Sequence, residues 1–416
     1  MNDGISPHLR LGQQCRELRR LPEAERHFRD ALAENPRDDA ALHELALTLH
    51  LQDDRDREAL EVAERAISVD PNDALHHALR AFILNGLDRP KEALAAARES
   101  RRLDPYCVNA LVAEAQTHML LRDWSDAERA ARAALELDAD FSPAANMLAQ
   151  ALRMQNKTAE NDAQIAGLLA RNPEDEVTHL NAGWSALQRG DHRTAEQHFR
   201  EALRLDPELD PAREGLLTSF RARSPFYRAY LAYSLWMARH KAGMQWAIII
   251  GVLVGTRLLK VVAQKFSPTL ATAIGALYLL FVLWIFVADA VGNFILLSDR
   301  FARYALRPAE KREAIFVGGG IVLGLLLLGA GLLIPGGFVL ALFGGVLLAA
   351  SIPFSMVFTN PSRLGSALFA VAGAIPLVGL GVFLIQPALG TGLLSFGVLA
   401  CLLSTWLASV PALRRK

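Results

Sequence analysis

Two patterns of apolar residues divide the chain. From residue 244 onward the apolar positions run together, in six stretches at 244–263, 270–297, 314–334, 337–358, 364–385 and 388–410. Each stretch is near the roughly 20 residues that carry a helix across hydrocarbon. Six membrane spans are therefore expected, the fifth and sixth open to tilting or re-entry. Before residue 224 no apolar run is that long, and apolar positions recur at helical spacing on short segments divided by polar turns, the pattern of paired amphipathic helices. Between the two regions lies Ser224–Lys241, SPFYRAYLAYSLWMARHK, where Phe226, Tyr230, Tyr233 and Met237 fall at helical spacing. Aromatic rings and long cationic stems settle at the headgroup level of a bilayer. Residues 224–243 are thus expected to form an amphipathic hinge helix, with Tyr227, Arg228, Tyr230, Tyr233, Trp236 and Arg239 at the membrane interface. A soluble capping helix with an aromatic core face is the competing reading.

The front of the chain repeats itself. A block of small, bulky, small and then proline recurs as Ala24, Phe28, Ala31, Pro36, then Ala59, Ala63, Ala66, Pro71, then Ala93, Ala97, Ser100, Pro105, and finally Ala195, Phe199, Ala202, Pro207. Pro36, Pro71, Pro105, Ala139, Pro173 and Pro207 mark a near-constant step, broken once between the first two. Each copy predicts two antiparallel helices, the second one stopped by its proline. The second copy needs one extra residue, most simply in the turn Asp53–Asp56. The fifth has Asn161, Ile165 and Leu168 where small residues belong, which predicts irregular packing. Glu208–Ala222 then predicts a closing helix with Leu209, Ala212, Leu216 and Phe220 against the last copy, as the end of a stacked array requires.

A period of about 34 residues with this block resembles the tetratricopeptide repeat. The resemblance covers about residues 5–207, with six copies. The tryptophan favoured near the start of that repeat is replaced by His8, Leu42, His77, Leu111, Ala145 and His179. The resemblance implies a helical solenoid whose groove, lined by first helices, takes a protein or peptide. Mapped onto this chain, the groove positions are His43, Leu47, His50, Phe82, Asn85, Gln116, Met119, Leu180 and Trp184. Leu9, Gln13 and Leu79 stand where the chaperone-tail-binding subclass carries its polar clamp, which argues against that subclass. With its aromatic hinge and C-terminal spans, the whole chain resembles uncharacterised bacterial membrane proteins known by their repeats. The expected fold is all-α: a repeat array over 1–223, the hinge over 224–243 and a transmembrane domain over 244–416.

Charge adds orientation. The net charge is zero, but residues 1–210 hold 26 Lys+Arg against 39 Asp+Glu, leaving 18 against 5 for the remainder. An acidic array repels phosphates, so no nucleic acid partner is expected. With six spans, the hinge, the loop 298–313, Arg363 and the tail Arg414–Lys416 share one face of the membrane, against Lys265, Arg257 and Lys260 on the other. That bias predicts cytoplasmic termini. An N-terminal stretch without an apolar signal core, and Cys15, Cys107 and Cys401 far apart, agree with a reducing compartment.

Candidate chemistry is sparse. Asp289 is the single acidic residue within the six runs, and Asn293 follows one turn later on the same face. Intramembrane carboxylates are costly and mark function or helix pairing. The eleven histidines include His43 and His50, seven apart, and repeat-to-repeat neighbours are expected to be too distant to share an ion. No metal site, cofactor or catalytic residue is expected. The glycines of the spans, such as Gly324, Gly331, Gly344 and Gly379, predict close helix packing. A faint echo between 329–349 and 379–401 predicts a duplicated hairpin. The reading that follows is a scaffold fixed in the bacterial inner membrane, binding a protein or peptide in the cytoplasm. A small transporter or membrane enzyme with a recruiting arm is the alternative.

Overall fold

A computed structural model describes residues 6–52, 54–300, 302–360 and 362–407. Asp53, the last residues of the sixth expected span and the tail Arg414–Lys416 lie outside the described residues. Chain contacts divide the protein into two units, residues 1–185 with 239–241 and residues 186–238 with 242–416.

In the first unit the helices form hairpins: α1 (Pro7–Glu17) with α2 (Leu21–Glu34), α3 (Asp39–His50) with α4 (Asp56–Val69), α5 (Ala74–Gly86) with α6 (Pro90–Leu103), α7 (Val108–Leu120) with α8 (Trp124–Leu137), and α9 (Ser142–Met154) with α10 (Thr158–Arg171). The division between the units falls inside α11 (Glu176–Gln188). The small residues picked out by the repeat are the packing surface. Ala24, Ala59, Ala63, Ala93, Ala97, Ala127 and Ala131 are all buried. Gly12 on α1 sits so close to α2 that an added Cβ would overlap the Phe28 ring.

A second regularity escapes the hydrophobic pattern. Two residues ahead of each second helix, the chain takes a left-handed φ: Arg19 (56°), Asp54 (60°), Asp88 (57°), Arg122 (57°) and Asn156 (63°), then Gly190 (81°) ahead of α12 (His192–Leu205). A tight helix-to-helix reversal requires that conformation, which glycine takes without strain and other residues at a cost. From the start of α3 at Asp39 to that of α4 at Asp56 the chain takes one residue more than from α5 at Ala74 to α6 at Pro90, which is the extra residue of the second copy. The fifth copy keeps the same turn at Asn156. Its larger residues are accommodated, with Asn161 buried and its amide donating to Ser185 Oγ at 2.7 Å.

The second unit contains α12, α13 (Asp210–Arg221) and α14 (Pro225–Ala238), then α15 (Ala242–Phe266), α16 (Pro268–Leu297), the short α17 (Ala302–Ala305) and α18 (Pro308–Glu313). A π-helical turn at Ala314–Gly318 continues α18 into α19 (Gly319–Leu333), followed by α20 (Phe338–Thr359), α21 (Arg363–Ile385) and α22 (Pro387–Leu407). Ala212, Leu216 and Phe220 of α13 are buried, and Gly215 faces the Phe199 ring of α12 at a distance that excludes a Cβ.

Among the described residues, six helices are long and apolar enough to cross a membrane: Ala242–Phe266, Pro268–Leu297, Pro308–Leu333, Phe338–Phe358, Arg363–Ile385 and Pro387–Thr405. Only Ala263 of α15 is buried, while Leu258, Leu259, Val261 and Val262 are open. A continuous apolar belt of that kind is unstable in water and matches a hydrocarbon surround. The third helix corrects the sequence reading. The helix opens at Pro308, ahead of the apolar run that starts at 314, so its first turns carry Glu310 and Glu313. Apolar run length missed that first turn because it is charged; Pro308 opens it, and the Glu310 carboxylate accepts from the Arg307 backbone N–H at 2.6 Å.

Glycines bring α19 against α20 and α21 against α22. An added Cβ would overlap Ala341 N at Gly331, and Leu328 N at Gly344. The internal echo does not hold position by position. Gly331 is packed while its counterpart Gly381 faces open space, and Gly379 is packed where Gly329 is open.

Candidate functional site

The first helices of the array share a set of polar links from copy to copy. His43 Nδ1 on α3 lies 3.2 Å from His76 Nδ1 on α5. Histidines of neighbouring copies thus stand within contact distance, nearer than the expectation that they are too distant to share an ion supposes. Asn85 on α5 is buried, donates to Gln116 Oε1 on α7 at 3.4 Å, and accepts from Thr117 Oγ1 at 3.0 Å. Farther along, Asn181 on α11 donates to Asn146 Oδ1 on α9 at 2.9 Å. Backbone stacking alone leaves buried amides without partners, so such links fix the register between copies.

Those contacts sort the nine expected groove residues. Asn85 is consumed within the array. His43 and His50 are half-buried and bonded inside it, His50 Nδ1 to Asp56 Oδ1 at 2.6 Å. Leu47, Phe82, Gln116, Met119, Leu180 and Trp184 are half-buried. Partial exposure of apolar and amide side chains on first helices is what a peptide-contacting face needs.

In the second unit a charged cluster assembles around Asp289 of α16. Arg221, the last residue of α13, places Nη1 3.2 Å from Asp289 Oδ1 and 3.1 Å from Glu214 Oε1. Its Nε donates to Asn293 Oδ1 at 3.0 Å. The Tyr227 hydroxyl donates to Asp289 Oδ1 at 2.7 Å, and Tyr230 donates to Oδ2 at 3.3 Å. The Arg221 guanidinium is buried, whereas the Asp289 side chain is 49% exposed. Burial alone would lower the Arg221 pKa; Tyr227, Asp289 and Glu214 outweigh it, and the pKa rises. Burial, reinforced by Asp289, also pushes the Tyr227 and Tyr230 hydroxyls up, so both remain donors. Gly292 makes room for the guanidinium stem, since a Cβ there would stand 3.1 Å from Arg221 Cγ and Cδ.

Asp289 and Asn293 therefore do fall on one face, and their partners come from α13 and α14. Arg221 is not singled out by its sequence context. The available signal is a cation directly after Phe220, at the end of a helix with an apolar face. Three more ion pairs extend the contact. Arg213 of α13 holds Glu310 at 3.1 Å, Arg223 holds Asp299 at 3.0 Å, and Arg307 pairs with Asp210.

The hinge residues take different places. Tyr227 is buried, Tyr230 and Tyr233 are half-buried, and Trp236 and Arg228 are exposed. Their rings lie along α16: Phe226 and Tyr230 edge-on to Trp284 at 5.8 and 5.9 Å, and Tyr233 edge-on to Phe281 at 5.8 Å. Arg239 belongs to the first unit, where its carbonyl oxygen accepts from Trp124 Nε1 at 2.6 Å.

Helical hairpins recurring about every 34 residues, with a shared alanine face and a left-handed turn, define a class of repeat solenoid. The tetratricopeptide repeat family model matches residues 9–74 and 162–210, so the chain carries tetratricopeptide repeats there. It is 24% identical over 223 residues to anaphase-promoting complex subunit 7 of Dictyostelium discoideum, a match covering 45% of this chain and 38% of that protein. The chain thus spans well under half the length of this curated relative. Among solved structures, it resembles a tetratricopeptide repeat protein of Parabacteroides merdae (16% identity, 50% of this chain, 81% of the other, TM-score 0.45). The pilF protein of Pseudomonas aeruginosa gives 18% identity, 50% and 94% coverage, and a TM-score of 0.40.

Proposed function

We propose that this protein is a membrane-anchored scaffold, its repeat array binding a protein or peptide and its six apolar helices holding that partner at a bilayer. Repeats of this superfamily are interaction modules, and the apolar helices are compatible with anchoring. The observation that carries the reading is the Arg221–Asp289 contact. It joins α13, the helix packed on the last repeat helix α12, to α16, one of the six apolar helices. The half-buried face of Leu47, Phe82, Gln116, Met119, Leu180 and Trp184 is the contact surface in this reading. The exposed hinge side chains Arg228 and Trp236 contact the lipid headgroups, and the array and C-terminus face the cytoplasm at a bacterial inner membrane. The protein is not an enzyme in this reading; Asp289, its strongest catalytic or transport candidate, is engaged by three side chains from α13 and α14.

Photo-crosslinking on intact membranes, followed by mass spectrometry, tests this. A crosslinker at Gln116 should capture a discrete partner, and Trp184→Ala should deplete it while the protein stays in the membrane fraction. Capture unchanged by Trp184→Ala, together with full function after deletion of the repeats, would overturn the scaffold.

A further inference from the structure

His76 is buried on the first helix of the third copy, and its Nε2 makes no hydrogen bond among the described residues. Such an atom is costly unless something occupies the space it faces. Asp39 Oδ2 and Asp73 Oδ2 both stand 3.8 Å from it. The three donor atoms lie within 4.8 Å of one another. The two carboxylates stand at equal distances from this nitrogen, beyond hydrogen-bond reach and somewhat wider than the donors of a bound cation. We propose that His76, Asp39 and Asp73 form a divalent transition-metal site joining the second and third repeats.

The chemistry of the donors selects the ion. One imidazole nitrogen with two carboxylate oxygens suits zinc-class cations, whereas magnesium and calcium take oxygen alone. In a tetrahedral zinc site with bonds of about 2.0–2.1 Å, donors stand roughly 3.4 Å apart. Asp39 and Asp73 are partly exposed, so their side chains can close that difference, and the solvent side supplies entry and the fourth ligand.

His43 completes the arrangement from behind. Its Nδ1 lies 3.2 Å from His76 Nδ1. If His76 Nδ1 carries the proton and donates it, Nε2 is left with a lone pair toward the carboxylates, the tautomer a metal requires. Asp73 also caps α5, its Oδ1 accepting from Leu75 N at 2.7 Å, which holds the carboxylate in place. Two helix N-termini beside a cation oppose binding, which places the expected affinity in the micromolar range rather than tighter. The ion would brace α3 against α5 at the face proposed for the partner.

The test is equilibrium zinc binding by the full chain in detergent micelles, with cobalt absorbance as a second readout. Among the described residues, two other histidine–aspartate groups, around His8 and around His118, can add background, so the measurement is a difference between variants. Wild type and His118→Gln should share a zinc equivalent that His76→Gln and Asp73→Asn lose. Asn caps a helix as well as Asp, so Asp73→Asn keeps the fold, checked by unchanged helical circular dichroism. His43→Phe should weaken the site about tenfold or more, as outer-shell partners do. Magnesium should not compete. If His76→Gln and Asp73→Asn bind zinc as wild type does, or the wild type binds none at this site, the proposal is wrong.

Discussion

Arg221 and Asp289, 68 residues apart, meet at 3.2 Å, one ending the helix that closes the repeat array and the other on the second spanning helix. Breaking a buried ion pair costs about 3–5 kcal/mol when one charge is left alone. Here Glu214 remains beside Arg221 and Asp289 is half exposed, which lowers the expected loss for Asp289→Asn to about 1–3 kcal/mol. Thermal unfolding in detergent reads it. Combining Arg221→Met with Asp289→Leu should cost less than the two single changes added together, because no charge is stranded.

The two tyrosines on Asp289 rank themselves by geometry. Tyr227 donates at 2.7 Å from a buried ring, Tyr230 at 3.3 Å. A hydrogen bond to a charged group contributes about 1.5–3 kcal/mol, so Tyr227→Phe should approach that range and Tyr230→Phe fall below it. Equal losses in the same unfolding assay would contradict the ranking.

Turn and helix glycines give substitutions of opposite sign. Asp88 holds a φ of 57°, so Asp88→Gly should relieve strain and stabilise the array by about 0.5–1 kcal/mol, net of its unfolded-state entropy. Gly190, at φ 81°, should lose about 1 kcal/mol on change to alanine for the same reason. Gly167 of α10 faces open space and sits mid-helix, so Gly167→Ala should gain about 0.5–1 kcal/mol. Gly12→Ala meets the Phe28 ring and should lose about 1–3 kcal/mol. Chemical denaturation midpoints distinguish all four.

Burial, and after it the neighbouring His76, holds the His43 pKa below its ordinary 6.5. The unfolded chain therefore takes up the proton first as pH falls. Stability from this site is complete above about pH 6.5 and declines as pH drops below that toward the folded value. His43→Gln should flatten this part of the pH–stability curve between about pH 7 and 5. A curve that keeps its slope in the variant would place the acid sensitivity elsewhere.

The repeat period and the six apolar helices were legible in the sequence because both are local. A proline at each repeat boundary ends a helix wherever the chain folds. An apolar run of roughly 20 residues is long enough to span whatever its neighbours are. Asp289 also stood out, since a carboxylate in an apolar run needs a partner. That its partners are Arg221 and Tyr227 was not legible, because it depends on how α13 and α14 dock on α16. The charged start of the third spanning helix was hidden for the same reason: Glu310 is tolerated there by Arg213, a residue 97 positions earlier. His43 and His76 met only when stacking brought one helix of each copy side by side. Periodicity fixes which residues share a face, while ion pairs and shared protons depend on distances between faces, which tertiary packing alone decides.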